Sequence, residues 1–368
     1  MFAKIKKINV FFLFIILLLV LIGTGALYSA AGGNFEPWAK KHIIRFSLSF
    51  VLILMIALVN IKILYKYAYL YFLASLILLS SVEILGSFGF GAKRWIYIFG
   101  LSIQPSELIK ITLILSLAKY YHDLRFDRIG KIHNVFIPML MIIIPFYLIA
   151  SEPDLGTSIM YLLLGLLIMF VAGVRIWKFI LGFIFVLFSF PILWNYIKPY
   201  QQKRVLSFLY PESDPLGQGY QLIQSKIALG SGGITGKGFL KGTQSYLEYL
   251  PGKQTDFIFT LIGEEFGFFG TIFVIILFIF LILIAYYISF RSNHVFGKIL
   301  CLGVSINIFL YVILNVAMVI GLMPVVGVPL PLLSYGGTAM LSVMISFGFL
   351  MNISVHNDAK SLSNVKNY

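Results

Sequence analysis

The sequence predicts an all-α, polytopic membrane protein with about ten transmembrane helices and a large extracytoplasmic loop before the eighth span. The chain of 368 residues is 60% hydrophobic and only 11% charged, and its mean hydropathy of +0.96 lies outside the range of soluble domains. Apolar runs of about 20 residues, the length that a helix needs to cross a bilayer, recur along it. The short alternating segments typical of a membrane β-barrel are not found in the sequence.

The apolar runs define the spans and leave one long segment between the seventh and the eighth. This segment, 196–256, is expected to be a large periplasmic or extracellular loop within a single integral membrane domain, 1–368. Its stretch 230–242 holds six glycines, but a phosphate-binding loop is not predicted because Lys237 is followed by Gly238 rather than by Ser or Thr. The ten spans are predicted at residues 8–28, 42–60, 67–85, 104–120, 134–150, 155–173, 177–195, 257–287, 297–320 and 332–353.

The charges of the loops predict the orientation. With the N-terminus inside, 15 of the 28 basic residues fall in inside segments and five in the short outside loops, so both termini are expected to be cytoplasmic. The formal charge of +14 then follows from topology and does not indicate a nucleic-acid partner. The basic N-terminal run and the apolar run after it could imitate a signal peptide. The apolar run is about as long as a span and more spans follow, which favours a retained first helix. The one cysteine, Cys301, lies in an apolar span, so neither a disulfide framework nor a Cys/His metal site is expected.

The acidic residues at the start of the eighth span are the first candidates for chemistry, because an ionisable group at a membrane boundary is costly to keep. On a continuous helix Asp256 and Glu264 differ by about 80° and could line one cavity, whereas Glu265 points nearly opposite to Asp256. The alternative is a helix-start role, with Thr255 as the cap and Asp256 at the positive helix end. The span exceeds the bilayer thickness, which predicts either a projecting first part or a break. The candidate break positions are Gly263, Gly267 and Gly270.

A pair of charges lies at the start of the predicted fourth span. Glu107 and Lys110 are three residues apart, so on a helix they face the same side and can pair. Pro105 suits the first turn of that helix. Each charge costs about 2.5–3.5 kcal/mol at mid-membrane, and less near the end of a span. The pair is either a structural salt bridge or the polar floor of an outward-facing cavity, and the sequence leaves both open.

Two short outer loops carry further candidates. Lys93 and Arg94 beside Trp95 can hold an anionic headgroup or a pyrophosphate, or they serve as an ordinary interfacial anchor. Asp154 lies in a tight turn, where it can cap the next helix while Gly156 allows close packing. For Asp154, structural use is favoured over chemical use.

The segment from Gly321 to Thr338, called the proline–glycine segment below, holds three prolines and four glycines. Irregular backbone at membrane depth is tolerated only where it is buried in protein or lines a wet cavity. The segment is therefore expected to re-enter from the outer side against a cavity. Acids, cations and irregular backbone thus converge on one side of the predicted bundle.

The chain resembles the SEDS family of bacterial cell-wall glycosyltransferases over roughly residues 85–350. The segments that carry the resemblance are, in order, GAKRWI, QPSELIK, EPDLGTS, QSKIALGSGGITGKGFLKGTQSYLEYLP, TDFIFTLIGEEFGFFG and GLMPVVGVPLPLLSYGG. Within the family, YLEYLP, VPLPLLSYGG and the short tails favour the elongation enzymes over the division enzymes.

This resemblance implies an enzyme of the bacterial inner membrane that polymerises lipid II into glycan strands on the outer side and releases undecaprenyl pyrophosphate. It places the catalytic aspartate on Asp256, and it implies a divalent cation (Mg²⁺ or Mn²⁺) without an organic cofactor. A class B penicillin-binding protein and other membrane proteins of the elongation complex are the implied partners. The expected substrate-binding residues are Lys93, Arg94, Glu107, Lys110, Asp154, Glu264 and Glu265.

The expected mechanism is an inverting glycosyl transfer. Asp256 acts as general base on the 4-hydroxyl of the acceptor N-acetylglucosamine, which attacks C1 of the donor N-acetylmuramic acid. Lys93, Arg94, Lys110 or a bound cation stabilises the departing pyrophosphate. One position departs from the family pattern, because Gly252 stands where an acid is usual, four residues before Asp256.

Two other functions remain open at this point. A lipid II flippase, which is a transporter, needs polar groups that continue to the midplane or the inner side. A non-enzymatic scaffold for partner helices would leave the acids at the membrane boundary unexplained.

Overall fold

The structure is a computed structural model that describes residues 9–89, 92–98, 101–125, 128–196, 199–213, 217–247 and 249–357. The basic N-terminal run lies outside these residues. The long helices are α1 Val10–Ala30, α2 Ala39–Leu58, α3 Ile61–Ser80, α5 Pro105–Asp123, α6 Ile132–Ser151, α7 Leu155–Val171, α8 Ile176–Tyr196, α12 Ile258–Arg291, α13 Val295–Val319 and α14 Gly337–His356. The shorter elements are α4 Val82–Leu85, α9 Pro199–Leu209, a 3-10 turn Pro211–Ser213, α10 Gln218–Gly232 and α11 Thr243–Tyr246, with strands β1 Ser87–Gly89, β2 Ala92–Ile98 and β3 Leu101–Ile103.

The long helices confirm the predicted helical membrane fold. Within the described part of the chain, seven of them are long and apolar enough to cross a membrane, namely α1, α2, α3 with its extension to Leu85, α6, α12, α13 and α14. Helix α7 and most of α8 are apolar but shorter, and α5 carries the charges of Glu107, Lys110 and Lys119. Each predicted span overlaps one of these helices, while the count of ten spans stays a prediction.

A small antiparallel sheet connects α4 to α5, and the sequence did not predict it. Its strands pair in the order β1-β2-β3, with Trp95 opposite Ser87 and Ile96 opposite Ile103. Trp95 and the three residues after it are aromatic or β-branched, types that favour strands. The segment with Lys93, expected in a short loop, is therefore part of a strand. The end of the bundle that carries this sheet is called the sheet end below.

Helices α13 and α14 lie in the interior of the bundle. Their most apolar windows are 67% and 83% buried inside the protein, against 22% for α2 and α3, so protein rather than lipid surrounds them. Glycines allow the close approach: a Cβ at Gly303 of α13 would lie 2.6 Å from Ile114 of α5, and one at Gly348 of α14 would lie 2.9 Å from Ile56 of α2. Small residues at helix contacts are a general means of packing membrane helices.

Helix α12 is broken at Gly267, one of the three predicted positions. Gly267 has φ of 64° and ψ of −159°, and a Cβ there would lie 2.3 Å from the backbone N of Gly236. The glycine-rich segment 230–242 supplies the backbone partners that the break removes, as a buried backbone requires. These bonds run from Lys237 N to Glu264 O (3.0 Å), Gly238 N to Glu265 O (2.9 Å), Phe268 N to Gly233 O (2.9 Å) and Phe269 N to Ile234 O (3.2 Å).

The break divides α12 into parts of unequal length. The part 268–291 is about 36 Å long at 1.5 Å per residue, and this exceeds the roughly 30 Å of a hydrocarbon core. It is therefore long enough to cross a membrane alone. The part 258–266, with Glu264 and Glu265, extends beyond that length at the sheet end.

Candidate active site

Asp256 lies in the turn before α12 and not on the helix. The helix begins at Ile258, and the hydroxyl of Thr255 donates to the backbone O of Gly252 at 3.2 Å instead of capping the helix. Asp256 therefore does not lie on α12 with Glu264, and the predicted angle of about 80°, which holds only along one continuous helix, does not apply. That the two acids line one cavity stays a prediction.

Two polar side chains hold this turn against the proline–glycine segment. Nδ2 of Asn315, on α13, donates to the backbone O of Asp256 at 2.8 Å and to that of Val328 at 2.7 Å. The hydroxyl of Ser334 donates to the backbone O of Thr255 at 2.6 Å. The segment is irregular, as predicted, and it packs against the aspartate. Sequence reasoning missed Asn315, although a polar residue inside an apolar span is itself a signal of function.

The carboxylate of Asp256 is unpaired and partly buried. It accepts no hydrogen bond from any residue that the structure describes, and protein surrounds it although part of its surface remains open. A Cβ at Gly327 would already lie 3.5 Å from its Oδ2. Burial and, to a smaller extent, the charge of Asp154 raise the pKa of Asp256 to about 6, against the opposing charges of Arg204 and Arg94. A carboxyl with a pKa near neutrality is suited to accept a proton.

Asp154 has the structural role that the sequence favoured. It is the N-cap of α7, and its Oδ1 accepts from the backbone N of Thr157 at 3.3 Å. Its Oδ2 accepts from Nε2 of Gln104 at 3.0 Å. A Cβ at Gly156 would lie 2.1 Å from the backbone O of Val326, so the glycine allows the proline–glycine segment to pack on this turn. The negative charge of Asp154 still acts on the pKa of Asp256.

Arg94 reaches the same turn from β2. Its Nε donates to the backbone O of Glu152 at 3.2 Å, its Nη2 donates to the backbone O of Pro153, and its Nη1 lies 3.9 Å from Oδ1 of Asp154. Arg94 lies where the register of β2 against β1 shifts, and its contacts fasten β2 to the turn before α7.

The structure adds two residues that sequence reasoning did not select. Arg204, on α9, acts electrostatically on Asp256; only the fold shows that this part of the long loop returns to the aspartate. Glu152 is buried, and burial together with the charge of Asp154 raises its pKa to about 8. At neutral pH Glu152 is therefore mostly protonated and adds little negative charge to the site.

Glu107 and Lys110 pair in the interior, as their spacing predicts. Oε1 of Glu107 lies 2.8 Å from Nζ of Lys110, and Oε2 accepts from the hydroxyls of Tyr311 and, at 3.0 Å, Ser342. Nζ of Lys110 also donates to the Tyr311 hydroxyl at 2.5 Å. Glu107 is 3% exposed and Lys110 1%, so this pair is enclosed in the protein and ties together α5, α13 and α14.

The buried pair is connected to the Asp256 turn through α13. Tyr311, which contacts both charges, lies four residues before Asn315, which holds the backbone of Asp256. Residues four apart lie on one face of a helix. The structural and functional interpretations of the pair are thus compatible, because the salt bridge positions the helix that positions the aspartate.

Glu264 and Glu265 contact other residues than Asp256 does. Oε1 of Glu264 accepts from Nζ of Lys237 at 2.7 Å, from the backbone N of Gln244 at 2.9 Å and from the hydroxyl of Thr243 at 3.1 Å. This carboxylate therefore fastens the glycine-rich segment to α12. Glu265 accepts from the hydroxyl of Ser29 and borders a separate cavity of about 450 Å³.

The fold and the site define a polytopic helical membrane protein with an unpaired aspartate at one end of its bundle. The model of the cell cycle protein family FtsW/RodA/SpoVE matches residues 6–359. The peptidoglycan glycosyltransferase MrdB of Escherichia coli is 39% identical over 353 residues, which cover 95% of this chain and 94% of that protein. MrdB of Helicobacter pylori is 36% identical over 317 residues, with coverage of 85% and 82%.

Solved structures agree with this assignment. A chain from a peptidoglycan synthase complex that coordinates polymerization and crosslinking has a TM-score of 0.82 at 29% identity, with coverage of 96% of this chain and 99% of that one. RodA of Thermus thermophilus shares the fold, with a TM-score of 0.72 at 22% identity and coverage of 95% and 97%. The chain belongs to the FtsW/RodA/SpoVE family, the SEDS family that its motifs indicated. It is a peptidoglycan glycosyltransferase and an integral protein of the inner membrane.

Gly252, the departure from the family pattern, has φ of +80°, where a residue with a Cβ costs roughly 1–2 kcal/mol. Gly252→Glu and Gly252→Ala are therefore both expected to lower the free energy of unfolding by about that amount, without raising the polymerisation rate. Thermal unfolding and initial rates are measured for both variants. Backbone strain is common to the two, so a difference in rate between them reports the effect of the acid alone. A Gly252→Glu variant faster than Gly252→Ala would show that an acid at this position assists the reaction.

Proposed function

We propose that Asp256 is the general base with which this peptidoglycan glycosyltransferase polymerises lipid II during cell elongation. The observation that carries the proposal is the unpaired carboxylate of Asp256, whose pKa of about 6 lies near neutrality. Arg94 and Arg204 act on it from β2 and α9. This arrangement combines a proton acceptor with nearby positive charge, as a transfer that expels an anion requires.

In the proposed reaction Asp256 takes the proton from the 4-hydroxyl of the acceptor N-acetylglucosamine. That oxygen forms a bond to C1 of the donor N-acetylmuramic acid, the bond from C1 to the pyrophosphate oxygen breaks, and configuration inverts. Undecaprenyl pyrophosphate leaves with the electron pair. A positioned base contributes typically about 10²–10⁴-fold to such a rate.

Positive charge near the leaving group stabilises the departing pyrophosphate. Arg94 and Arg204 are the cations that act on Asp256, so we assign this role to them. Lys110 is enclosed by Glu107 and Tyr311, and its proposed contribution is to hold α13 in place. Lys93, next to Arg94 on β2, is retained as a contact to the lipid headgroup at the membrane boundary.

A divalent cation remains part of the proposal. The described residues contain no group of three or more His, Cys, Asp or Glu side chains placed to hold a metal ion. Mg²⁺ is commonly bound by one or two carboxylates together with substrate phosphates and waters. Asp256 and Asp154 are the carboxylates that would face such an ion, which would neutralise charge on the pyrophosphate.

The proposed orientation puts both termini in the cytoplasm and the sheet end on the outer side. The basic inside loops support it, and so does the chemistry, because the glycan product belongs outside the membrane. The related chain in the synthase complex acts in an assembly that also crosslinks. We therefore propose a class B penicillin-binding protein as the partner of this chain.

Purified chain in liposomes with labelled lipid II tests the function. Glycan polymer is expected without any acceleration of lipid II movement between leaflets, and addition of the crosslinking partner is expected to increase polymer yield. Transbilayer movement is measured separately in the same liposomes. Rapid movement of lipid II between the leaflets without polymer would indicate a flippase instead of an enzyme. The absence of both polymer and movement would favour the scaffold interpretation.

A further inference from the structure

A cavity of about 450 Å³ lies beside α12, on a different set of residues from those around Asp256. Ser29 and Trp38 border it from the end of α1 and the loop that follows, and Leu240 borders it from the glycine-rich segment. Lys253 and Glu265 complete the wall. The volume falls within the range of about 300–1,000 Å³ that is typical of small-molecule sites. This space is called the Glu265 cavity below.

Glu265 is the unusual residue of this cavity. Its side chain is 2% exposed, Oε1 accepts from the hydroxyl of Ser29, and the backbone N–H of Leu240 approaches the carboxylate. Oε2 has no hydrogen-bond partner among the described residues. A buried acceptor without a partner costs about 1–3 kcal/mol, and more when it is charged. The cavity beside it offers the space for a ligand group that donates a hydrogen bond.

The other lining residues indicate which kind of ligand fits. Glu36, at the mouth, is paired with Lys40 at 2.7 Å, and the lining holds one further residue of each charge sign, Lys253 and Glu265. A nearly neutral cavity with a buried carboxylate is a poor site for phosphate or pyrophosphate. Trp38 supplies an apolar face, and a sugar ring combines such a face with hydroxyl and acetamido N–H donors for the free Oε2.

The position of the cavity relates it to the reacting bond. Lys253 belongs to the same turn as Asp256, and Glu265 lies seven residues into α12, about 10 Å along the helix axis. We propose that the Glu265 cavity is a sugar subsite that holds an N-acetylated ring of the substrate or growing strand, away from the ring that reacts. This inference rests on the proposed function and adds a second contact to the same glycan.

Two variants test the subsite in different ways. Glu265→Ala removes the acceptor, and Ala31→Leu, at a lining position just after α1, narrows the cavity while the carboxylate is kept. Both are expected to raise KM for lipid II about tenfold and to shorten the product strands, with kcat for the first bond unchanged. Ile234→Ala, on the same glycine-rich segment but outside the cavity lining, is the matched control and is expected to keep wild-type strand lengths. Wild-type KM and strand lengths in both cavity variants would overturn the subsite.

Direct binding separates the sugar from the peptide of the substrate. Two ligands are titrated separately: the disaccharide of N-acetylglucosamine and N-acetylmuramic acid, and the free stem peptide. The signal is the change in tryptophan fluorescence that the Trp38→Phe variant no longer shows. The disaccharide is expected to bind the wild type and to bind Glu265→Ala at least tenfold more weakly. Binding of the peptide alone would overturn the sugar assignment. A loss of thermal stability with unchanged disaccharide binding would assign Glu265 a purely structural role. Disaccharide binding by a chain that makes no polymer would refute the proposed function and keep the subsite.

Discussion

Asp256→Asn is expected to lower the rate of glycan polymerisation by about 10²–10⁴-fold and, at the same time, to stabilise the protein. Asparagine keeps the size of the side chain but cannot accept the proton of the acceptor hydroxyl. The carboxylate that it replaces has no hydrogen-bond donor in the described structure, and it lies near the charge of Asp154. Initial rates with purified lipid II and thermal unfolding at pH 7.5 measure the two effects on the same preparation.

The pKa of Asp256 also fixes the direction of both pH profiles. Below pH 6 the base becomes protonated, so kcat/KM is expected to fall about tenfold per pH unit. The folded pKa of about 6 is above the ordinary value of 3.8, so the folded state binds the proton more tightly than the unfolded state does. This group therefore destabilises the fold as pH rises from about 4 to 6, by on the order of 1–3 kcal/mol above pH 6. The asparagine variant lacks that loss, which gives its stability advantage at pH 7.5.

An exposed acid at the sheet end provides the control for Asp256. Glu83 is an exposed residue at the sheet end, and Glu83→Gln removes a negative charge there without removing the proposed base. It is expected to keep both the wild-type rate and the wild-type fall of kcat/KM below pH 6. If Asp256→Asn polymerises lipid II at the wild-type rate, or still shows that fall of kcat/KM near pH 6, the base is another group.

Glu107→Ala is expected to lower the free energy of unfolding by about 3–5 kcal/mol, because it leaves the buried ammonium of Lys110 without its counter-charge. Lys110→Ala is expected to cost a similar amount by stranding Glu107. In the double variant neither charge remains, so its loss of stability should be smaller than the sum of the two single losses. Polymerisation is expected to fall with each single change, because the Asp256 turn depends on the same helix.

Thermal unfolding of the four proteins in detergent gives the coupling energy, and contacting charges typically show about 0.5–3 kcal/mol. Ser342→Ala is the matched control, since it removes one hydrogen bond to Glu107 (3.0 Å) but no charge. It is expected to cost about 1 kcal/mol. Strict additivity of the two single changes would mean that the pair is not a coupled unit.

Sequence patterns predicted the helices and the break well, because both depend on local composition. Apolar runs located each long helix, and the unusual length of the eighth span together with its glycines limited the break to three positions, of which Gly267 is the observed one. The spacing of Glu107 and Lys110 predicted their pairing. Capping preferences favoured a structural role for Asp154, which the structure shows as the N-cap of α7.

Predictions that depended on where α12 begins, or on the path of the long loop before it, were incomplete. The angle predicted between Asp256 and Glu264 depended on where α12 begins, and the helix begins at Ile258, two residues after Asp256. The small sheet was missed because its strands are short and lie between long apolar runs. Arg204 and Asn315 meet at Asp256 from distant parts of the chain, and periodicity within one segment carries no information about such a meeting.

The break at Gly267 also bears on how the chain enters the membrane and how its sequence can vary. Insertion machinery selects a segment by its apolar content, and 268–291 meets that demand without help from the turns before it. The half-helix that carries Glu264 and Glu265 is thereby released from selection for lipid solubility. Substitutions there are limited by packing, because Ile258 to Glu265 are buried inside the protein, and not by the demands of membrane insertion.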